Sequence, residues 1–201
     1  NMIRILVVQD QALVRGAISS LLSFEDNIEV VRQAEDGHQA IEFINQNDVD
    51  FVLTDIEMPN VSGLELAEYI VENKLDINIV IMTTFSKSGY IKRAMNLGVK
   101  AFVLKESPTD YLVETINKVN SGQRVISPEL ALMALDDNDP LTEKERKAVR
   151  LAGEGLKTAE IASKLYLSEG TVRNYLSEAI AKLNAANRID AARIAKQKGW
   201  I

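Results

Sequence analysis

The sequence predicts an α/β protein with a doubly wound, five-stranded parallel sheet, followed by a smaller unit made only of helices. Across the first 120 residues, short apolar runs rich in β-branched side chains alternate with longer amphipathic stretches. This alternation is typical of β-α repeats, which build a parallel sheet with helices on both faces. From Leu141 onward the strand-like runs disappear, and the remaining pattern indicates four short helices.

Five apolar runs are the predicted strands, and their near-continuous hydrophobicity is expected of strands that are buried on both faces. They are Ile3–Val8, Ile28–Val31, Phe51–Thr54, Ile79–Met82 and Ala101–Leu104. Helices are predicted between them, near residues 37–46, 63–73, 87–97 and 108–120. The apolar face of the first helix is marked by Leu13, Ala17, Ile18, Leu21 and Leu22. The expected strand order is 2-1-3-4-5, the flavodoxin-like order.

The chain is long enough for two small domains, with predicted boundaries of 1–121 and 140–201. The linker at 122–139 contains proline and an acidic cluster, with a short helix near 128–135. There are no cysteines, no apolar run long enough for a membrane span and no signal-peptide pattern. We therefore expect a cytoplasmic protein that does not bind membranes.

The net charge of −6 conceals a difference between the two parts. Residues 139–201 carry 12 Lys and Arg against 8 Asp and Glu, a net of +4, and residues 1–138 carry 11 against 21, a net of −10. An acidic part joined to a basic part indicates different partners, and a basic surface is typical of nucleic-acid binding.

Four polar residues lie just after the ends of predicted strands: Asp10, Asp55, Thr83 and Lys105. In an open parallel sheet, ligands bind beyond the carboxyl ends of the strands, where the strand order reverses. Two carboxylates and a backbone carbonyl suit Mg²⁺, and a carboxylate can attack phosphorus to form an acyl phosphate. An ammonium and a hydroxyl beside them would stabilise the phosphoryl oxygens. The pattern thus predicts phosphorylation of Asp55.

Residues 2–120 resemble the receiver domain of two-component response regulators. The motifs that carry this resemblance are VVQDQ (7–11), LTDIEMPNVSGLE (53–65), TTF (83–85) and FVLKES (102–107). The resemblance implies that Asp55 is the phosphoacceptor and that Asp10, Asp55 and the backbone carbonyl of Glu57 bind Mg²⁺. Lys105 and Thr83 would contact the phosphoryl group. It also implies that Thr84 gates access to the phosphate and that Phe102 changes rotamer with Thr83.

One position departs from the receiver pattern, which has two consecutive acidic residues after the first strand. Here the pair is Gln9 and Asp10, and Gln9 takes the place of the carboxylate that reaches the metal through water. An amide oxygen can accept a hydrogen bond but brings no charge. We therefore expect weaker Mg²⁺ binding and slower phosphorylation than with two carboxylates.

The C-terminal part contains clear helix signals. Thr142 and Glu145 form a capping box, a second helix is predicted over 158–165, and Ser168 is the expected N-cap of a third over 169–183. The side chains predicted to face the core of the third helix are Val172, Leu176, Ile180 and Leu183. Two short helices joined by a tight turn match helix-turn-helix geometry, although the pattern alone also allows a protein-interaction bundle.

Residues 141–195 resemble the LuxR/NarL-type DNA-binding domain. The shared features are LTxxE, G-x-x-x-x-E-I-A, S-x-x-T-V-R and the late K-L-x-x-x-x-R. The resemblance implies base contacts by Thr171, Arg173, Asn174 and Ser177, phosphate contacts by Lys182 and Arg188, and dimerisation through a last helix near 187–198. TTF, TVRNYL and KGW further resemble regulators of membrane-lipid desaturation in Gram-positive bacteria.

Together these features predict a non-enzymatic response regulator. Phosphorylation of Asp55 by a sensor histidine kinase would favour a homodimer that binds DNA and regulates transcription. Two alternatives stay open: a phosphorylation-independent regulator with a pseudo-receiver, made possible by Gln9, and a phosphatase with an aspartyl nucleophile. The single histidine, His38, has no motif that indicates a phosphodonor or metal ligand, and Met133 and Trp200 are expected to pack.

Overall fold

The computed structural model describes residues 1–84 and 88–201, which divide into two compact units. Most of the chain up to Leu132 forms the first unit, and Met133–Ile201 forms the body of the second. Phe85 of the TTF motif and the predicted helix start at residue 87 lie outside the described residues. No helix in the described ranges is both long and apolar enough to span a bilayer.

The first unit is built on a five-stranded parallel sheet of order β2-β1-β3-β4-β5, which confirms the predicted fold and strand order. The strands are β1 (Ile3–Val8), β2 (Ile28–Ala34), β3 (Phe51–Asp55), β4 (Asn78–Thr83) and β5 (Ala101–Leu104). Every residue of β3 is buried, as the continuous apolar pattern predicts for a central strand. The edge strand β2 exposes Glu29, Arg32 and Gln33 and continues past the predicted end at Val31.

Helices lie between the strands. Most connections between a strand and a neighbouring helix are two to seven residues long, as is usual in such repeats. They are α1 (Ala12–Ser23), α2 (Gly37–Gln46), α3 (Gly63–Glu72), α4 (Ser88–Asn96) and α5 (Thr109–Asn120). The short helix predicted in the linker is present as α6 (Pro128–Leu135). At the start of α2 the Asp36 side chain accepts from the Gln39 N–H, and at the start of α3 Ser62 forms a capping box with Glu65.

The buried face of α1 differs from the prediction. Ile18 and Leu22 are buried against the sheet, whereas Leu13, Ala17 and Leu21 are exposed. The helix carries two overlapping apolar ladders at helical spacing, and the ladder that includes Val14, Ile18 and Leu22 is the one that packs. The prediction of a helix was therefore correct and the assignment of Leu13, Ala17 and Leu21 to its buried face was wrong.

The core of the first unit joins the sheet to α1 and α5. Ile5, Leu22 and Ile116 are completely buried and belong to one cluster with Phe51 and Val80. Full burial of such a side chain contributes roughly 1.5–3 kcal/mol. This rigid base holds the strand ends, and the loops that follow them, in fixed positions.

The second unit contains four helices: α7 (Glu143–Gly153), α8 (Thr158–Leu165), α9 (Glu169–Lys182) and α10 (Arg188–Gln197). The predicted capping box of Thr142 with Glu145 and the Ser168 cap are both present. Val172 and Leu176 lie in the core, as expected. Ala179 takes the next buried position of α9, and the expected core residue Ile180 is only partly buried.

Candidate functional site

The polar side chains that follow the strands lie at one edge of the sheet. Asp55 ends β3 and pairs in register with Met82 of β4, and Thr83 pairs with Leu104 of β5. Lys105 directly follows β5, and its backbone N–H donates to the Thr83 carbonyl oxygen over 2.9 Å. The parallel register therefore brings the predicted residues to the same edge.

The carboxylate of Asp55 is almost completely enclosed and accepts three hydrogen bonds. Lys105 Nζ lies 2.6 Å from Oδ2 of Asp55, and Gln9 Nε2 donates to the same oxygen over 3.3 Å. The backbone N–H of Ile56 donates to Oδ1 over 2.8 Å. Each oxygen thus has a donor, and the Lys105 ammonium supplies the opposite charge that a buried carboxylate requires.

Gln9, rather than its acidic neighbour Asp10, contacts Asp55. Gln9 is only 2% exposed, and its backbone N–H donates to Ala34 O at the end of β2 over 3.0 Å. Its side-chain Oε1 accepts from the Gln11 backbone over 3.3 Å. Asp10 is exposed at the rim. The amide therefore occupies the inner position of the pocket, where a second carboxylate would stand beside Asp55.

The loop after β3 is held tightly against the end of that strand. Gly63 begins α3, and its N–H donates to Ile56 O over 2.8 Å. A Cβ atom at Gly63 would lie 2.0 Å from the backbone oxygen of Asp55, a distance that no side chain can occupy. Glycine is therefore required here by the close approach of two backbone segments.

The predicted switch residues are present at the ends of β4 and β5. Thr83 is buried, and its hydroxyl donates to the backbone oxygen of Thr84 over 2.9 Å. The Thr84 side chain is exposed, and the Phe102 ring is covered. In this arrangement the Thr83 hydroxyl is hydrogen-bonded to the Thr84 carbonyl. This bond would have to break before the hydroxyl could contact a phosphoryl group.

Oxygen atoms dominate the groups available to a cation at this edge. The carboxylates of Asp10 and Asp55 and the backbone carbonyl of Glu57 are hard donors of the kind that Mg²⁺ binds. Within residues 1–84 and 88–201, no three His, Cys, Asp or Glu side chains converge on a metal position. A cation here would complete its coordination with water, which agrees with the preference of Mg²⁺ for a partly hydrated state.

In the second unit, α8 and α9 form a helix-turn-helix around a left-handed residue. α8 ends at Tyr166, whose φ of 57° reverses the chain, and the N–H of Leu167 donates to Ala162 O over 2.9 Å. Ser168 then starts α9 by accepting from the Thr171 N–H over 3.1 Å. The turn is thus closed at both ends by hydrogen bonds.

The four residues predicted to contact bases all lie on α9, at positions 171 to 177 of the helix Glu169–Lys182. Arg173, Asn174 and Ser177 are exposed, opposite the buried Val172 and Leu176. Thr171 is partly exposed, and its hydroxyl lies 2.8 Å from that of Ser168. The prediction that Thr171, Arg173, Asn174 and Ser177 contact DNA bases stays a prediction, and their placement on the outer face of α9 is compatible with it.

The two residues predicted to contact phosphates both have partners within the unit. Lys182 Nζ lies 2.7 and 3.0 Å from the carboxylate oxygens of Glu145, which is almost fully buried. Burial raises the pKa of Glu145, but hydrogen bonds from Lys182 and Thr142 outweigh it and hold the pKa below 4.5. Arg188 donates to Thr158 Oγ1 over 2.9 Å. Both cations therefore have a structural role, and their phosphate contacts stay predictions.

Sequence reasoning did not identify Asp36 and Asn60, which connect two loops beside the pocket. Oδ2 of Asp36 accepts from Asn60 Nδ2 over 2.8 Å, and Oδ1 accepts from the Gln39 N–H over 2.9 Å. These donors, first that of Gln39 and then that of Asn60, hold the pKa of Asp36 below 3.8. The available signal was an Asp before Gly37 at a helix start, which predicts an N-cap but not the second contact.

Two family models match the chain. The response regulator receiver domain matches residues 5–117, and the luxR family of bacterial regulatory proteins matches residues 139–195. These families comprise transcription regulators rather than a known class of enzyme.

Full-length relatives support the same assignment. The uncharacterized transcriptional regulatory protein YvfU of Bacillus subtilis is 44% identical over 200 residues, and the match covers 100% of both chains. The transcriptional regulatory protein DesR of Bacillus subtilis is 41% identical over 199 residues and covers 99% of both. The crystal structure of the response regulator ChrA from a heme-sensing two-component system is 28% identical, with a TM-score of 0.56 over 100% of this chain and 99% of ChrA. The chain therefore belongs to the two-component response regulators and is a transcriptional regulator that joins a receiver domain to a LuxR-type DNA-binding domain.

Proposed function

We propose that Asp55 is the phosphoacceptor of this regulator and that a sensor histidine kinase is its phosphodonor. The observation that carries the proposal is the 2.6 Å contact between Lys105 Nζ and Asp55 Oδ2 at the carboxyl edge of the sheet. This contact places a cation beside a carboxylate nucleophile, where negative charge increases during phosphoryl transfer.

In the proposed step, a carboxylate oxygen of Asp55 forms a bond to phosphorus while the bond from phosphorus to the donor nitrogen breaks. Lys105 stabilises the phosphoryl oxygens, and the enclosure of Asp55 limits the access of water to the acyl phosphate. Asp10, Asp55 and the Glu57 carbonyl would hold Mg²⁺, with Gln9 next to them but without a charge. The ion, when bound, supplies positive charge to the transferring group.

Phosphorylation replaces the single negative charge of the Asp55 carboxylate with the roughly −1.5 to −2 charges of a phosphoryl group, and it adds acceptor oxygens to the pocket. The Thr83 hydroxyl, now on the Thr84 carbonyl, would turn toward the new oxygens, and Phe102 would change rotamer in response. We propose that this rearrangement favours a homodimer, whose two copies of α9 contact paired DNA half-sites. The exposed Arg173 and Asn174 support sequence-specific contact, since Arg and Asn can bind guanine and adenine bidentately.

Phosphorylation can be tested with acetyl phosphate and Mg²⁺, followed by intact-mass spectrometry. The wild-type chain should gain one phosphoryl group, and Asp55→Asn should gain none. Asp48→Asn is the matched control, because Asp48 is a highly exposed aspartate on the approach to β3 and should leave phosphorylation intact. Modification of Asp55→Asn at the wild-type rate would disprove the assignment.

The hydrogen bond from Gln9 to Asp55 favours a second candidate, a regulator that binds DNA without phosphorylation. The amide already donates to the carboxylate and could hold the pocket in one state. This candidate predicts the same DNA affinity and the same sedimentation behaviour with and without beryllofluoride, whereas the first predicts tighter binding and dimerisation with it.

A further inference from the structure

The loop between β3 and α3 carries Glu57, and two neighbouring contacts attach the middle of this loop to the start of α2. Asp36 Oδ2 accepts from Asn60 Nδ2 over 2.8 Å, and the Gly37 N–H donates to Val61 O over 3.0 Å. A Cβ atom at Gly37 would lie 2.7 Å from Val61 O, so the two backbones approach as closely as a glycine allows. Residues 36–37 and 60–61 therefore form a clamp between the two loops.

The two oxygens of Asp36 have separate partners. Oδ1 caps α2 by accepting from the Gln39 N–H, and a single oxygen is enough for that role. Oδ2 is left for Asn60, which lies in the loop between β3 and α3, 24 residues along the chain. Asp36 is only 8% exposed, so competition from water for this second bond is limited.

The backbone of Asn60 is left-handed, with a φ of 65°. Asparagine adopts this conformation more readily than most residues other than glycine, and the bond to Asp36 fixes the side chain that extends from this turn. On the other side of Glu57, Ile56 O is fixed by the Gly63 N–H over 2.8 Å. The short segment that carries Glu57 is thus anchored at both ends.

We propose that Asp36 is a positioning residue for the cation site, which acts through Asn60 to hold the loop that presents the Glu57 carbonyl. The inference rests on the proposed function, because it takes that carbonyl as a ligand of Mg²⁺. Asp36 does not itself bind the cation. Its carboxylate fixes the turn that follows Glu57, much as second-layer groups orient metal ligands elsewhere.

The proposal can be tested by measuring the Mg²⁺ affinity of the full chain by titration calorimetry, with no phosphodonor present. Asp36→Ser keeps an N-cap oxygen but cannot reach Asn60. Asn60→Gly keeps the left-handed turn but removes the amide. Each variant should weaken Mg²⁺ binding about tenfold, as losses of supporting contacts typically do. The double variant should be no weaker than the singles, because both remove the same contact.

Two further variants separate positioning from general stability. Asn73→Gly removes an amide whose Nδ2 donates to Tyr69 O at the far end of α3, and it should leave Mg²⁺ affinity unchanged. The exchange variant Asp36→Asn with Asn60→Asp re-forms the bond with its donor and acceptor reversed and should recover affinity relative to Asn60→Gly. Unfolding free energies of the variants, measured in EDTA, show how much each substitution destabilises the fold when no Mg²⁺ is bound.

The outcomes distinguish this inference from the proposed function. If the wild-type chain binds Mg²⁺ and Asp36→Ser and Asn60→Gly bind it equally well, the positioning role is wrong and the phosphoacceptor proposal is unaffected. If the wild-type chain binds no Mg²⁺, the metal assignment fails together with this inference. Weaker binding that the double variant does not deepen supports the role of Asp36.

Discussion

Gln9 donates a hydrogen bond from Nε2 to Oδ2 of Asp55 over 3.3 Å, inside a pocket from which Gln9 is almost fully shielded. The same oxygen faces Lys105, so two donors share one acceptor. Gln9 is therefore part of the pocket that surrounds the carboxylate and not a passive substitute for an acid.

The substitution Gln9→Glu should lower the stability of the fold and raise its affinity for Mg²⁺. A carboxylate cannot donate to Asp55 and adds a like charge beside it, so the free energy of unfolding in EDTA should fall by about 1–3 kcal/mol. Mg²⁺ binding measured by calorimetry should tighten about tenfold, because a second carboxylate adds negative charge beside the cation and can bind it through water. Gln11→Glu, a neighbouring exposed position, is the control. Unchanged Mg²⁺ affinity in Gln9→Glu would contradict the charge argument.

Gly63→Ala should disrupt the pocket through sterics alone. The new methyl group would meet the backbone oxygen of Asp55 at 2.0 Å, so the strand end or α3 must move, and we expect a loss of about 3 kcal/mol in urea unfolding. Gly16→Ala is the matched control in α1, where the added methyl meets nothing within 4 Å and should stabilise the helix by about 0.5–1 kcal/mol. Equal stability of the two variants would show that the loop is not tightly held.

Lys182→Met should destabilise the second unit because it leaves the buried Glu145 carboxylate without its ion pair. Since Lys182 is itself partly exposed, we expect a loss of about 2 kcal/mol, less than for a fully buried pair. Lys144→Met, at an exposed position of α7, should cost little. Urea unfolding followed by circular dichroism measures both.

The same pair gives the unfolding free energy a defined pH dependence. The folded-state pKa of Glu145 lies below its ordinary value of 4.5, so its contribution is fully present above pH 4.5 and is lost as the pH falls through the lowered folded-state value. The stability difference between wild type and Lys182→Met should therefore shrink on acidification below pH 4.5. A difference that stays constant or grows there would show that the ion pair does not cause it.

Arg173→Ala and Asn174→Ala should weaken binding to DNA fragments that the wild type selects from genomic DNA. Loss of a base contact costs about 1–3 kcal/mol, or roughly five- to 150-fold in affinity, and relaxes sequence preference. Lys147→Ala, at an exposed position of α7, should change affinity far less. Fluorescence anisotropy at fixed salt concentration measures these effects, and equal losses for all three variants would argue against α9 as the sequence-specific element.

The sheet and its polar edge were predictable because the signals are local. Each strand is a short apolar run, and Asp55, Thr83 and Lys105 stand where such runs end. Parallel topology then brings these ends together without further information. The end of β2 was predicted three residues too early, because the polar residues Arg32 and Gln33 belong to an edge strand and need not be buried.

Contacts between distant segments were less accessible to sequence reasoning. Periodicity could not choose between the two apolar ladders of α1, since the sheet decides which one packs. The pairing of Lys182 with Glu145 joins residues 37 apart, and a basic residue at a helix end gave no reason to expect a buried acid. The bond from Asp36 to Asn60 likewise depends on how two loops meet.

Tyr166, the left-handed residue between α8 and α9, limits the substitutions that the turn can accept. Its side chain is 94% exposed, and by exposure alone the position would tolerate almost any residue. The backbone is less permissive, because Val or Ile is strongly disfavoured at a φ near 57° and would force the turn to open. The direction in which α9 leaves the turn thus depends on this torsion angle, at a site where glycine or asparagine is compatible and a β-branched side chain is not.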